Sequence, residues 1–188
     1  MSVVHAVLGL VLLQRGAELL WAAANTRRLR AEGAIEIDGR GYPWLVLLHI
    51  AWLASLWALV PAAAAPSWPL LALYGVLQLG RVWVLASLGR RWTTRVMIRP
   101  GELPVRRGPY RWLRHPNYAI VIGEIAVLPL AFGAVAIAAV FSVANLALLA
   151  RRIHVEERAW ALSRGRGRTR LSDLERGSRS ARSSAARP

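Results

Sequence analysis

The 188-residue sequence predicts an all-α integral membrane protein of about five transmembrane helices, the last two a helical hairpin, with a polar pocket at one membrane face. Three observations carry this. The chain is 55% hydrophobic, above the usual composition of soluble domains. It is also strongly basic: 25 basic residues, every one arginine, stand against 10 acidic ones, for a net charge of +15. The two properties are segregated along the chain, as when apolar spans cross a bilayer and arginines occupy the flanking loops.

Taken in order, Val3 to Ala24 is long enough to span, since a hydrocarbon core of about 30 Å needs roughly 20 helical residues. Its start, MSVVH, lacks a basic region, and Gln14, Arg15 and Glu18 interrupt its apolar run, so a retained span is expected and not a cleaved signal. Tyr42 to Val60 (YPWLVLLHIAWLASLWALV) and Trp68 to Leu88 follow, separated by the charge-free turn Pro61–Ser67. The stretch Tyr118 to Ala150 would reach about 50 Å as one helix, and Pro129 with Gly133 offers a break.

Arginine placement decides the topology. Loop 25–41 carries four arginines, loop 89–117 eight, the segment after residue 150 eleven, and the turn 61–67 none. Three spans and then a hairpin put every basic segment on one face, as the positive-inside rule requires. The N-terminus then lies outside. Residues 1–162 form the membrane unit. The remainder, 163–188 (SRGRGRTRLSDLERGSRSARSSAARP), has no apolar periodicity and is expected to be a disordered tail. Beside a membrane its arginines, like those of the loops, are expected to meet anionic lipid; no nucleic-acid partner is expected.

The absence of cysteine excludes disulfides, thiolate zinc sites, iron–sulfur clusters and a cysteine nucleophile. No P-loop, GxGxxG or metal-ligand spacing occurs, so no metal is expected. The arginine-only basic set suggests a GC-rich, bacterial genome.

Ionisable residues inside spans are costly and need an account. Arg15 and Glu18 lie three apart on one helix face, with Gln14 four before Glu18; an internal pair locking helix packing is the simple reading. Arg81 with Gln78 reads as a side chain snorkelling to head groups. His49 reads as a helix–helix hydrogen bond. None of these identifies a chemistry.

The polar stretch Arg90 to Glu124 (RRWTTRVMIRPGELPVRRGPYRWLRHPNYAIVIGE) is more informative. In Arg114-His115-Pro116-Asn117-Tyr118, the proline suits a first helical turn, where its missing N–H costs nothing. The free N–H groups and dipole of that helix start favour an anion, and Arg111, Arg114 and His115 surround it. Beyond the hairpin, Arg152 and Glu156 share a helix face four residues apart. Folding the hairpin returns this pair towards RHPNY. The combination suits a zwitterionic ligand at the membrane surface, while lipid phosphate and an ordinary helical ion pair are the plainer reading.

GPYRWLRHPNY, a short hydrophobic hairpin and then RIHVEERAW resemble the isoprenylcysteine carboxyl methyltransferase family over about Trp92 to Trp160. In the first half, Arg15–Glu18, Asn25-Thr26-Arg27-Arg28-Leu29, Gly33-Ala34-Ile35-Glu36 and Tyr42-Pro43 ahead of His49 resemble its bacterial branch, whose members methylate alkylpyrones. The resemblance implies S-adenosylmethionine held between the cytoplasmic loop and the last helices, with a lipid-like substrate entering from the bilayer. It implies an inner (plasma) membrane location with the site facing the cytoplasm. Carried over by position, cofactor contacts fall on Arg95, Glu102, Leu103, Pro104, Val105, Tyr110, His115, Pro116, Asn117, Tyr118 and Glu156. Arg152 takes the role of meeting the substrate's oxyanion. Animal members have histidine where this chain has Glu102.

Chemistry agrees with these roles. Methyl transfer from a sulfonium is an in-line displacement, so positioning and water exclusion dominate. A carboxylate is already ionised at neutral pH and needs no base, and an acidic enol behaves similarly, whereas a plain phenol titrates near 10. The expected activity is therefore O-methylation of a carboxylate or acidic enol. Two other classes fit parts of the sequence: a membrane reductase using NADPH, which shares the HPNY helix start, and a non-catalytic basic membrane module.

Overall fold

The computed structural model describes residues 2–39, 41–99 and 102–184, with side chains described as far as Ala161. Five helices follow one another: α1 (Val3–Ala31), α2 (Tyr42–Leu59), α3 (Trp68–Leu88), α4 (Pro116–Ala131) and α5 (Val135–Ser184). Four of them contain windows long and apolar enough to cross a membrane, the span within α5 being Val135–Ala161; α4 is apolar but shorter. The protein is an all-α membrane protein whose last two helices form a hairpin.

Each helix buries one narrow stripe. On α1 it runs through Val4, Leu8, Val11, Glu18, Ala22 and Asn25, and on α2 through Leu45, Leu48, Trp52 and Leu56. These steps of three, four and seven residues follow the helical repeat. Val4, Leu8 and Val11 build one core with the α2 stripe, Ile125 and Leu128 of α4 and Leu149 of α5, while Ala22 packs with Val84 and Trp92 in a second, smaller cluster. Leu10, Leu13, Leu20, Ile50, Leu79 and Val143 are exposed on the outer faces, where lipid replaces water as solvent.

The hairpin closes where the sequence breaks. Gly133, at φ 73°, follows the C-cap Phe132, a left-handed conformation that glycine adopts without a Cβ clash. Its N–H reaches Leu130 O (3.0 Å) and the Ala134 N–H reaches Pro129 O (2.9 Å), the paired bonds of a Schellman turn. The Ser67 N–H donates to Ala131 O (2.7 Å), which levels the start of α3 with the end of α4. A Cβ on Gly80 would lie 3.4 Å from Ile120 Cδ1, so these helices pack closely through a small residue.

Three expectations are corrected. α1 does not end at Ala24: Asn25 and Thr26 stay helical because Thr26 Oγ1 donates to Ala22 O (2.7 Å) and Asn25 Nδ2 to Trp92 O (2.9 Å). Among the described residues His49 makes no interhelical hydrogen bond; its Nδ1 lies 2.8 Å from Leu45 O of its own helix. The segment from Ser163, expected to lack regular structure, continues the backbone of α5 to Ser184.

Loop 32–41 and loop 89–115 meet at the same membrane face in an antiparallel two-stranded ribbon, β1 (Ile35–Glu36) with β2 (Met97–Ile98). The Ile37 N–H to Val96 O bond (3.0 Å) extends it. This ribbon roofs the polar end of the bundle.

Candidate active site

Under the ribbon lies a cavity of about 500 Å³, lined from α4, α5 and both loops. That volume falls within the range in which small molecules bind. Arg95, Glu102, Leu103, Pro104, Val105, Tyr110, His115, Asn117, Tyr118, Arg152 and Glu156 all line it. Pro116 does not: it is buried as the first residue of α4, where it starts the helix and touches no cavity surface.

Tyr118 joins the two ends of the site. Its hydroxyl donates to Glu156 Oε2 (2.6 Å) and accepts from Arg152 Nε (3.0 Å). Arg152 is buried, and its Nη2 donates to Thr94 O (2.7 Å). Thr94 Oγ1 in turn donates to the Tyr42 hydroxyl (3.1 Å), linking α5 to the start of α2. Among the described residues no hydrogen bond reaches Arg152 Nη1. The guanidinium is thus fixed along one edge and available along the other. The His115 ring stacks on Tyr118 (5.3 Å between centroids, 14° between planes), and its Nε2 lies 3.6 Å from Glu157 Oε1.

The other carried-over residues are less free. Arg91 and Arg99 both pair with Glu102, so that carboxylate is engaged within its own loop. Arg95 donates to Glu36 (2.5 Å) and lies over the Tyr42 ring at 4.2 Å. Burial tends to raise the Glu36 carboxyl, but hydrogen bonds and charge from Arg95 and Arg30 outweigh it and hold the group below the usual carboxylate range. Burial, reinforced by the Glu156 carboxylate, pushes the Tyr110 hydroxyl above its ordinary value, so it remains a neutral donor.

The family described as isoprenylcysteine carboxyl methyltransferase (ICMT) matches residues 70–162. A Bacillus subtilis (strain 168) protein called uncharacterized protein YpbQ is 38% identical over 157 residues, covering 81% of this chain and 94% of that protein. The chain belongs to the isoprenylcysteine carboxyl methyltransferase family. No solved structure matches it. Membership makes it a membrane methyltransferase, and members of the ICMT family generally use S-adenosylmethionine.

The donor set suits that cofactor. Glu156 and Glu157 line the cavity and would complement its ammonium, and the arginines of the lining would complement its carboxylate. Among the described residues the buried Asn117 Oδ1 has no hydrogen-bond partner at the cavity, which leaves an acceptor there for a ligand's donor.

Several acidic side chains that brace this ICMT-family fold around the site, none of them lining the cavity, had no contact assigned from the sequence. Asp38 is buried and receives both Arg151 Nη1 (3.1 Å) and Nη2 (3.0 Å), clamping loop 32–41 to α5. Glu32 pairs with Arg28 and Arg99, and Glu36 with Arg30 and Arg95. The signal was present as charge complementarity, since Glu32 and Glu36 of loop 32–41 face an arginine-rich loop and Asp38 faces Arg151 of α5. Glu124 was missed as well. It completes a network in which Arg81 donates to Glu18 Oε1 (2.6 Å), Glu18 Oε2 (2.5 Å) and Glu124 Oε2 (3.1 Å), and Arg15 to Glu18 (3.1 Å) and Glu124 (2.6 Å). Arg81 therefore does not snorkel. Two arginines and two glutamates balance in charge among the spans, and Gln14 and Gln78 add hydrogen bonds to Glu18 Oε1 (3.0 Å) and Glu124 Oε1 (2.8 Å).

Proposed function

We propose that this methyltransferase uses S-adenosylmethionine to methylate a carboxylate or acidic enol on a lipid-like molecule of the bilayer, a long-chain alkylpyrone being the working substrate. The observation that carries the reading is Arg152: buried, held by Tyr118 and Thr94, and with Nη1 unengaged beside the cavity. A planar fork held in this way suits a two-oxygen or enolate anion.

Glu102 to Val105, Tyr110, His115, Asn117, Tyr118 and Glu156 would hold the cofactor, with Arg95 at the margin. Bound there, the cofactor would supply a sulfonium methyl, the O–CH₃ bond forming as the S–CH₃ bond breaks, with the neutral thioether as leaving group. No proton has to move, because the acceptor is already an anion. Arg152 fixes the direction of approach, and the Tyr118 hydroxyl ties that direction to Glu156 on the cofactor side. Trp92, buried in the cavity wall, helps exclude water. The arginine distribution supports placing this face in the cytoplasm of a bacterial inner membrane.

Arg152→Lys tests the reading with labelled S-adenosylmethionine and long-chain alkylpyrones in bacterial membranes. Lysine keeps the charge and loses the fork. Turnover should fall strongly while S-adenosylhomocysteine affinity stays nearly intact. Turnover near that of the parent would remove Arg152 from the mechanism.

A further inference from the structure

The segment from Gly108 to Arg114 follows the end of α3 in a way the cavity alone does not explain. Gly108, at φ 58°, leaves no room for a side chain: a Cβ there would lie 1.9 Å from Ser87 Oγ. Arg107 Nε donates to Ser87 O (2.6 Å) immediately before it. The chain is therefore pressed onto the last turn of α3.

Its depth follows from the helix register. α3 has 21 residues and α4 has 16, and Ser67 at the start of the first is bonded to Ala131 at the end of the second. At ~1.5 Å per residue, this five-residue difference starts α4 about 7.5 Å short of the level where α3 ends. Residues 108–115 must descend along α3 to reach it. They do so beside Trp83, whose ring lies 5.7 Å from that of Trp112.

Trp83 belongs to the outer apolar face of α3 with Val76, Leu79 and Val82, all of them exposed. Trp112 is 70% exposed and Leu113 55%, and they continue that face. Arg111 and Arg114 flank them, also exposed. An amphipathic ring and an aliphatic side chain between two guanidinium groups match the chemistry of the headgroup layer, with aromatics at the boundary and cations at lipid phosphate.

We infer that Trp112 and Leu113, with Arg111 and Arg114, form an interfacial anchor seated in an anionic lipid surface. The anchor holds the wall of the cavity that carries Tyr110 and His115 at membrane depth. An acceptor resident in the bilayer then meets the site without leaving the interface.

The cysteine-free chain allows a direct test. A nitroxide is attached at Leu113→Cys in the full chain, reconstituted into phosphatidylcholine vesicles with or without phosphatidylglycerol. Collision with oxygen is compared with collision with a water-soluble nickel chelate. Labels at Leu79→Cys and Ala63→Cys give the lipid and aqueous references. Position 113 should favour oxygen over nickel, more so with phosphatidylglycerol, and Arg111→Gln should remove that dependence on anionic lipid. Trp112→Ser should shift the label towards the aqueous reference.

Nickel accessibility equal to that of position 63 would overturn the inference. So would shielding from both probes, which would mean that protein covers the segment. The readout is position and not methyl transfer, so its failure is distinct from failure of the proposed activity.

Discussion

Tyr118→Phe removes one oxygen from the middle of the site and leaves the ring that stacks on His115. Two hydrogen bonds disappear, the 2.6 Å bond to Glu156 and the 3.0 Å bond from Arg152, each to a charged group. Bonds of that kind contribute about 1.5–3 kcal/mol. Arg152 keeps its bond to Thr94 O, and water from the cavity replaces part of what Glu156 loses. The net effect is then one such bond and not two. At 1.36 kcal/mol per power of ten, turnover should fall by roughly one to two powers of ten. The assay is methyl transfer to alkylpyrone in membranes, paired with isothermal titration of S-adenosylhomocysteine. If the hydroxyl aligns Arg152, the loss appears chiefly in kcat, with a smaller loss of cofactor affinity through Glu156. Unchanged kcat with weakened cofactor binding would refute the alignment and leave Tyr118 as a cofactor residue only.

Three further outcomes follow from the same contacts. Glu124→Ala leaves Arg15 and Arg81 with a single carboxylate in the bilayer interior, and breaking a buried pair costs about 3–5 kcal/mol; the variant should show a clear drop in thermal midpoint in detergent, and an unchanged midpoint would mean the network is not structural. Because Glu36 is held below its unfolded pKa, its contribution to stability is complete above the unfolded carboxylate value of about 4.3 and is lost as pH falls through the lower folded value. Melting curves of the parent should therefore steepen against pH in that acidic window, and Glu36→Gln should flatten them. In cell-surface labelling, Ala65→Cys should react from outside and Ile35→Cys only after the membrane is opened; equal reactivity would break the five-helix topology.

How much was legible depended on the range of the interaction. The spans at Tyr42 and Trp68 were readable to within a residue, because their bounds rest on local apolarity and on proline at the helix start. The hairpin break was readable because Pro129 and Gly133 act on their own backbone. The end of α1 was not. Polar Asn25 and Thr26 looked like a loop, and what holds the first in the helix bundle is a carbonyl of Trp92, 67 positions away.

The same division runs through the site. Short motifs placed Tyr118, Arg152 and Glu156 in the cavity, since RHPNY and RIHVEE each fix their own spacing along a helix. That Tyr118 bridges the other two could not be read, because the bond depends on how α4 leans against α5. Arg81 shows the limit plainly. An arginine near the end of an apolar span looks able to reach the head groups by its own length. Two glutamates on other helices instead bring it inward, where a low dielectric strengthens each pair and forbids leaving any member alone. By itself, the sequence determined the membrane, the spans and the helix faces on which charges sit, since those follow from transfer energies and helical periodicity. Only the tertiary structure decided which charge meets which, because pairing across helices depends on crossing geometry and burial that no local pattern encodes.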